Sequence, residues 1–182
     1  MAIVANLLAG PGTGKSTSMA GIFAELKWRG INCEMAPEFA KEIVWEKSTN
    51  ILNNQIYVFG KQFNTIFRLD GQVEVIITDS PLLLSIIYGK NESELFRQFV
   101  LEVFNRHDNM NFFLERLKEY NPKGRLQTFE EAKEKDREIK EVLDFNKISY
   151  TMMEAKREVV VEIADKICEK LKEPKETNES KA

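Results

Sequence analysis

The run Ala9-Gly10-Pro11-Gly12-Thr13-Gly14-Lys15-Ser16 joins a compact apolar stretch to a segment of helical periodicity, and nothing else in the chain narrows its fold so far. Ile3 to Ala9 has the length and make-up of a buried parallel strand. From Lys15 onward, Met19, Ile22, Phe23 and Leu26 recur at helical spacing until Arg29-Gly30 closes the helix. Glycines in such a turn let the backbone wrap so that successive N–H groups point at phosphate oxygens, with the positive end of the following helix behind them. The run matches the phosphate-binding loop, with Ala9 in place of the usual first glycine. Gly10, Pro11, Gly12, Thr13, Gly14, Lys15, Ser16 and Thr17 are therefore the expected contacts to ATP. Lys15 would bridge the β- and γ-phosphates, Ser16 would place its hydroxyl on Mg²⁺, and Thr17 would reach the α-phosphate. A simple glycine turn is the plain alternative, and the strand-loop-helix context weighs against it.

The rest of the chain repeats this alternation. Ile31 to Ala36 reads as a second strand, and Pro37-Glu38 opens a helical segment with Phe39, Ile43 and Val44. Asn53 to Leu69 reads as a helix, and Val73 to Thr78 as a third strand ending in Asp79-Ser80-Pro81. Glu94 to Phe104 is helical, Met110 to Leu114 a fourth strand, Ile148 to Met153 a fifth, and Lys156 to Leu171 a closing helix. The charged stretch 115–141, broken by Pro122 and Gly124, reads as a mobile lid, and 172–182 as a polar tail beyond a domain of residues 1–171. The expected fold is α/β, a five-stranded parallel sheet with helices on both faces, which binds ligands at the carboxyl ends of its strands.

Composition closes off other classes. In 182 residues, 26 Lys and Arg stand against 29 Asp and Glu, so no broad cationic face calls for nucleic acid. No apolar run reaches the roughly 18 residues of a spanning helix and no basic leader precedes the first strand, so no membrane and a cytoplasmic location are expected. Cys33 and Cys168 are expected to remain thiols there. The single histidine, His107, cannot build a His-based metal site or a triad and reads as a surface or helix-end residue.

Around the loop, further residues suit phosphoryl transfer. Asp79, at the end of a strand, is placed to hold the water shell of Mg²⁺ beside Ser16, although an Asp before a helical run also caps helices. Ser80 follows where motor ATPases that activate water carry a glutamate, which points away from hydrolysis as the purpose. Glu38, directly after the second strand, is the preferred general base toward an acceptor hydroxyl. Arg116 and Arg125, with Arg137 as a weaker third, are candidates to close over the triphosphate, against the bland reading of a solvated charged face. Phe39, Gln55 and Gln62 are candidate acceptor contacts, although aromatic residues at helical spacing are more often core. Asn146-Lys147-Ile148-Ser149 lacks the aspartate of a guanine-reading motif, which disfavours a GTPase switch.

The pattern AGPGTGKST, PEFAKE, NNQIYVFGKQ and ITDSP, followed by the segment from Tyr120 to Arg125, resembles small P-loop kinases. It looks most like the nicotinamide-riboside-kinase-like AAA domains often met in bacteriophage genomes, with thymidylate and deoxynucleoside kinases as more distant relatives. The likeness covers about residues 1–171 and implies a five-stranded parallel sheet, Mg-ATP as donor and an arginine-bearing lid. By motif match, Gly12, Gly14, Lys15 and Ser16 carry over, then Asp79, then Glu38 and the lid arginines. Ser80 departs from the arginine that many nucleoside kinases carry after their strand-end acid. The expected acceptor is a nucleoside, a nucleotide or a modified base in DNA such as 5-hydroxymethyluracil, and the chain is a candidate homodimer. A regulatory or assembly NTPase without an acceptor is the alternative.

Overall fold

Side chains alternate across β1 (Ile3–Leu8), and the two sets enter different cores. Val4 and Leu8 pack on one side of the sheet, while Ala5 and Leu7 pack on the other. Because both faces are covered, all six residues of β1 are buried, which is why the strand reads as an apolar run broken only by Asn6. The computed structural model describes residues 1–117 and 128–173.

The chain runs β1, α1 (Lys15–Trp28), β2 (Cys33–Ala36), α2 (Phe39–Trp45), a 3₁₀ turn (Thr49–Asn53), α3 (Gln55–Phe67) and β3 (Val75–Thr78). It continues through α4 (Leu84–Tyr88), α5 (Glu94–Asn105), β4 (Asp108–Glu115), α6 (Phe129–Phe145), β5 (Thr151–Glu154) and α7 (Val159–Lys172). The five strands form one parallel sheet in the order β2-β3-β1-β4-β5. β1 thus lies between β3 and β4, so the glycine loop that follows it is flanked by the ends of both.

α1 and α7 cover one face together. Ile22 and Leu26 meet Ile163 and Ile167 in that core, and Arg29 pairs with Asp165 at 2.6 Å. A Cβ on Gly21 would stand 2.7 Å from Val160 Cγ2, so the two helices approach as closely as a missing side chain allows. Helices from α3 to α6 supply the other core, with Phe59, Phe96, Val100, Ile139 and Leu143.

One polar cluster interrupts the apolar sheet. Asn6 Nδ2 donates to Asn109 Oδ1 at 2.9 Å and to Asn111 Oδ1 at 3.0 Å, and Asn111 lies opposite Asn6 in the β1–β4 register. Asn109 and Asn111 pass the chain on to the carbonyls of Phe104 and Ser149, so these amides are bonded rather than stranded.

Several sequence expectations need correction. α4 lies hidden in the apolar run after Pro81, and β5 starts at Thr151 because Ile148 and Tyr150 pack against the core ahead of the strand. The segment 115–141 is not one lid. Glu115 ends β4, and residues from Phe129 onward form α6, whose Thr128–Glu131 capping box and buried Ala132, Ile139 and Leu143 fix it to the body of the fold. Residues 118–127, with Arg125, lie outside the described residues, as does most of the tail. His107 lies at the end of α5, as expected, where it is half-buried against the Phe63 ring at 6.3 Å and burial lowers its pKa.

Candidate active site

The loop takes its shape from two glycines in the left-handed region, Gly12 at φ 79° and Gly14 at φ 112°. Ala9 is outside that region, which explains why alanine can stand there. Gly10 is the demanding position, since a Cβ on it would lie 2.3 Å from the carbonyl oxygen of Ala132 in α6. Thr13 is buried and donates to the Gly10 carbonyl at 3.0 Å, so its side chain braces the loop rather than facing a ligand.

α1 begins at Gly14, which supplies no capping side chain, and its first turn carries no acid. By contrast, Asn54, Ser93 and Thr128 each accept a first-turn amide of α3, α5 and α6. An uncapped helix start behind a glycine loop suits a phosphate. Lys15 Nζ is folded back onto the carbonyls of Ala9 and Gly10 at 2.8 and 3.1 Å. Burial lowers its pKa, while Glu38, Asp79 and Asp136 oppose that shift and Arg116 adds to it.

Ser16 Oγ donates to Asp79 Oδ2, and Asp79 Oδ1 is buried without a hydrogen-bond partner. An orphaned carboxylate oxygen beside a hydroxyl is a donor set suited to a hydrated Mg²⁺, so these residues fit that ion. Among the described residues no cluster of three or more His, Cys, Asp or Glu could hold a metal by protein ligands alone.

Beside the loop opens a cavity of 580 Å³. Pro11, Gly12, Gly14, Lys15, Ser16 and Thr17 form its phosphate end, and Glu38, Trp45, Gln55, Ser85 and Tyr88 are among the residues that continue it. Glu38 enters from the N-terminus of α2, and burial pushes its carboxyl above the usual range, Asp79 adding to the shift and Lys15 and Lys41 opposing it. Tyr88 is likewise raised, first by burial and then by Glu38, Glu138 and Asp136.

The sequence candidates divide here. Lys15, Ser16, Glu38 and Asp79 come together, and Gln55 lines the cavity while its Nε2 donates to the Leu52 carbonyl at 2.7 Å. Gln62 also borders it but is 3% exposed and holds the Phe39 amide at 3.2 Å, so it braces β2, β3 and α2. Phe39 is not a lining residue, because its ring stands edge-on to Tyr57 at 5.8 Å. Arg116 reaches the loop through an acid the sequence reading missed. Asp136 accepts the Gly10 amide on Oδ1 at 2.5 Å and Arg116 Nη2 on Oδ2 at 3.1 Å. Its signal was present, for Ala132, Asp136, Ile139 and Leu143 share one helical stripe, of which only the aspartate is charged. Arg137 pairs with Glu134 on the exposed side.

A parallel five-stranded sheet, a glycine loop between β1 and α1, and a strand-end acid against the loop's serine define a P-loop NTPase fold. A family model described as an AAA domain matches residues 6–159, and the chain belongs to that family. No curated protein matches its sequence. Among solved structures, a crystal structure of NadR protein in complex with NR is similar, with a TM-score of 0.65 and 14% identity over 90% of this chain and 51% of that one. The chain thus spans about half the length of that NadR chain, and the likeness is one of fold. No helix among the described residues is long and apolar enough to cross a membrane.

Proposed function

We propose that this protein is a kinase that moves the γ-phosphoryl group of ATP to a hydroxyl of a nucleoside-like acceptor. The observation that carries this reading is the placement of Glu38 in the same cavity as Lys15 and Ser16, between the phosphate end and a wall that continues to Trp45 and Tyr88. A hydrolase needs only water at that point, whereas this cavity runs on from its phosphate end along a wall that includes Trp45, Gln55, Ser85 and Tyr88. Glu38 supplies a proton acceptor in this cavity, which suits a hydroxyl as the group phosphorylated.

When bound at Ser16 and Asp79, Mg²⁺ would neutralise developing charge on the phosphate oxygens. The loop amides and Lys15 hold the triphosphate. Glu38 takes the proton of the acceptor hydroxyl, whose oxygen bonds to the γ-phosphorus as the bond to the bridging oxygen breaks and ADP leaves. Arg116, linked to the loop through Asp136, adds a fixed positive group.

Incubation with γ-labelled ATP and Mg²⁺ against nucleosides, nucleoside monophosphates, nicotinamide riboside and hydroxymethyluracil-containing DNA tests the proposal. Label is expected on a free nucleoside or its analogue. Label on the DNA would place the acceptor in a polymer, and ATP turnover indifferent to every acceptor would favour the regulatory NTPase.

A further inference from the structure

We propose that Asp136 is the positioning residue of the phosphate loop, one carboxylate oxygen fixing the Gly10 amide and the other holding the Arg116 guanidinium against the loop's side. The inference rests on the nucleotide-binding reading of the loop, and it assigns a task to a helix that carries no recognised motif.

Three observations support it. Asp136 lies in line with the buried Ala132, Ile139 and Leu143 of α6, its side chain is 21% exposed, and both of its oxygens are bonded. The Gly10 peptide is gripped from both ends, its amide by Asp136 and its carbonyl by Thr13 Oγ1 and Lys15 Nζ. When Lys15 turns to phosphate, Thr13 and Asp136 remain to hold the peptide. Finally, Arg116 has a side chain only 9% exposed, and its Nη2 donates to the Asp136 oxygen that Gly10 does not use, so one acid links the residue after β4 to the loop after β1. A lone carboxylate near a triphosphate would repel it, and the arginine offsets that charge.

The test is a double-mutant cycle read as affinity for a fluorescent ATP analogue with Mg²⁺, using wild type, Asp136→Asn, Asp136→Ala, Arg116→Ala and Asp136→Asn/Arg116→Ala. Asparagine keeps an oxygen for the Gly10 amide but not the charge that holds the arginine. Asp136→Asn is expected to weaken binding about tenfold alone and by less than about twofold in the Arg116→Ala background. Asp136→Ala is expected to bind more weakly than Asp136→Asn, because it also frees Gly10. Thermal melting identifies any variant that fails to fold, and the asparagine variant carries the test if alanine does. Equal effects of Asp136→Asn in both backgrounds, or unchanged or tighter binding, would overturn the proposal. Mg²⁺-dependent binding by wild type without any phosphorylated acceptor would defeat the kinase reading and leave this one standing, whereas no binding by wild type would defeat both.

Discussion

Ser16 Oγ donates a hydrogen bond to Asp79 Oδ2 at 2.5 Å, tying the start of α1 to the residue that follows β3. The contact depends on sheet order. β3 is the direct neighbour of β1, in register from Ile3 opposite Val75 to Asn6 opposite Thr78, so the two strands deliver their last residues to the same edge. The second oxygen of Asp79 remains unbonded in a buried place, which points to a role beyond holding the serine.

Asp79→Asn should therefore lose the magnesium dependence of nucleotide binding. Affinity for ATP measured with Mg²⁺ is expected to fall about tenfold or more, while the value in EDTA stays near that of wild type. An equal loss in both conditions would reduce Asp79 to a brace for Ser16.

Glu38→Gln should lower the rate of phosphoryl transfer by about 10²–10⁴-fold while leaving nucleotide binding in place. Because burial raises the carboxyl's pKa, the acid limb of the wild-type rate is expected above the ordinary glutamate range, with activity falling as pH drops and Glu38 takes up its proton. The same shift has a stability sign. The folded state binds this proton more tightly than the unfolded chain, so the contribution of Glu38 is fully present below its unfolded pKa and lost as pH rises through the folded one. Glu38→Gln should then melt higher than wild type at neutral pH, with the gap closing near about pH 4. Melting curves across that range check it.

Gly10→Ala should destabilise the fold by about 1–3 kcal/mol, since the new methyl meets backbone in α6 and one of the two elements must move. Ala9→Gly should be milder, at about 0.5–1 kcal/mol, because the position needs no left-handed backbone. Urea unfolding of both variants tests the ranking, and a milder Gly10→Ala would contradict the close approach.

Asn6→Ala should cost about 1–3 kcal/mol by leaving the amide oxygens of Asn109 and Asn111 without their donor inside the sheet. Nucleotide affinity should be unchanged, so denaturation and ligand titration together separate a defect of the sheet from one of the site.

The phosphate loop, all five strands and most helices could be read from the chain because each is written in contiguous residues, by glycine placement or by apolar spacing. Glu38 and Asp79 were legible for a related reason, since each follows a strand directly and strand ends in parallel sheets share one edge. What stayed hidden depends on residues far apart in the chain. Asp136 meets Gly10 across 126 positions, and no local pattern says which helix lies over the loop. Gln62 was read as an acceptor contact because its helix is rich in amides, yet its side chain is spent on Phe39, Ala36 and Thr78. The charged composition around 129–141 suggested a mobile segment, but α6 keeps its charges on one side and buries the other.

The pairing of α1 with α7 sets a timetable for synthesis. The helix behind the phosphate loop is made ahead of all the strands from β2 to β5, yet the helix that shelters it, α7, follows the last of them. A ribosome therefore extrudes all five strands before that earlier helix gains its lasting neighbour. Nascent chains halted short of residue 159 would carry the loop with an open apolar flank, a state suited to chaperone capture rather than to gripping nucleotide.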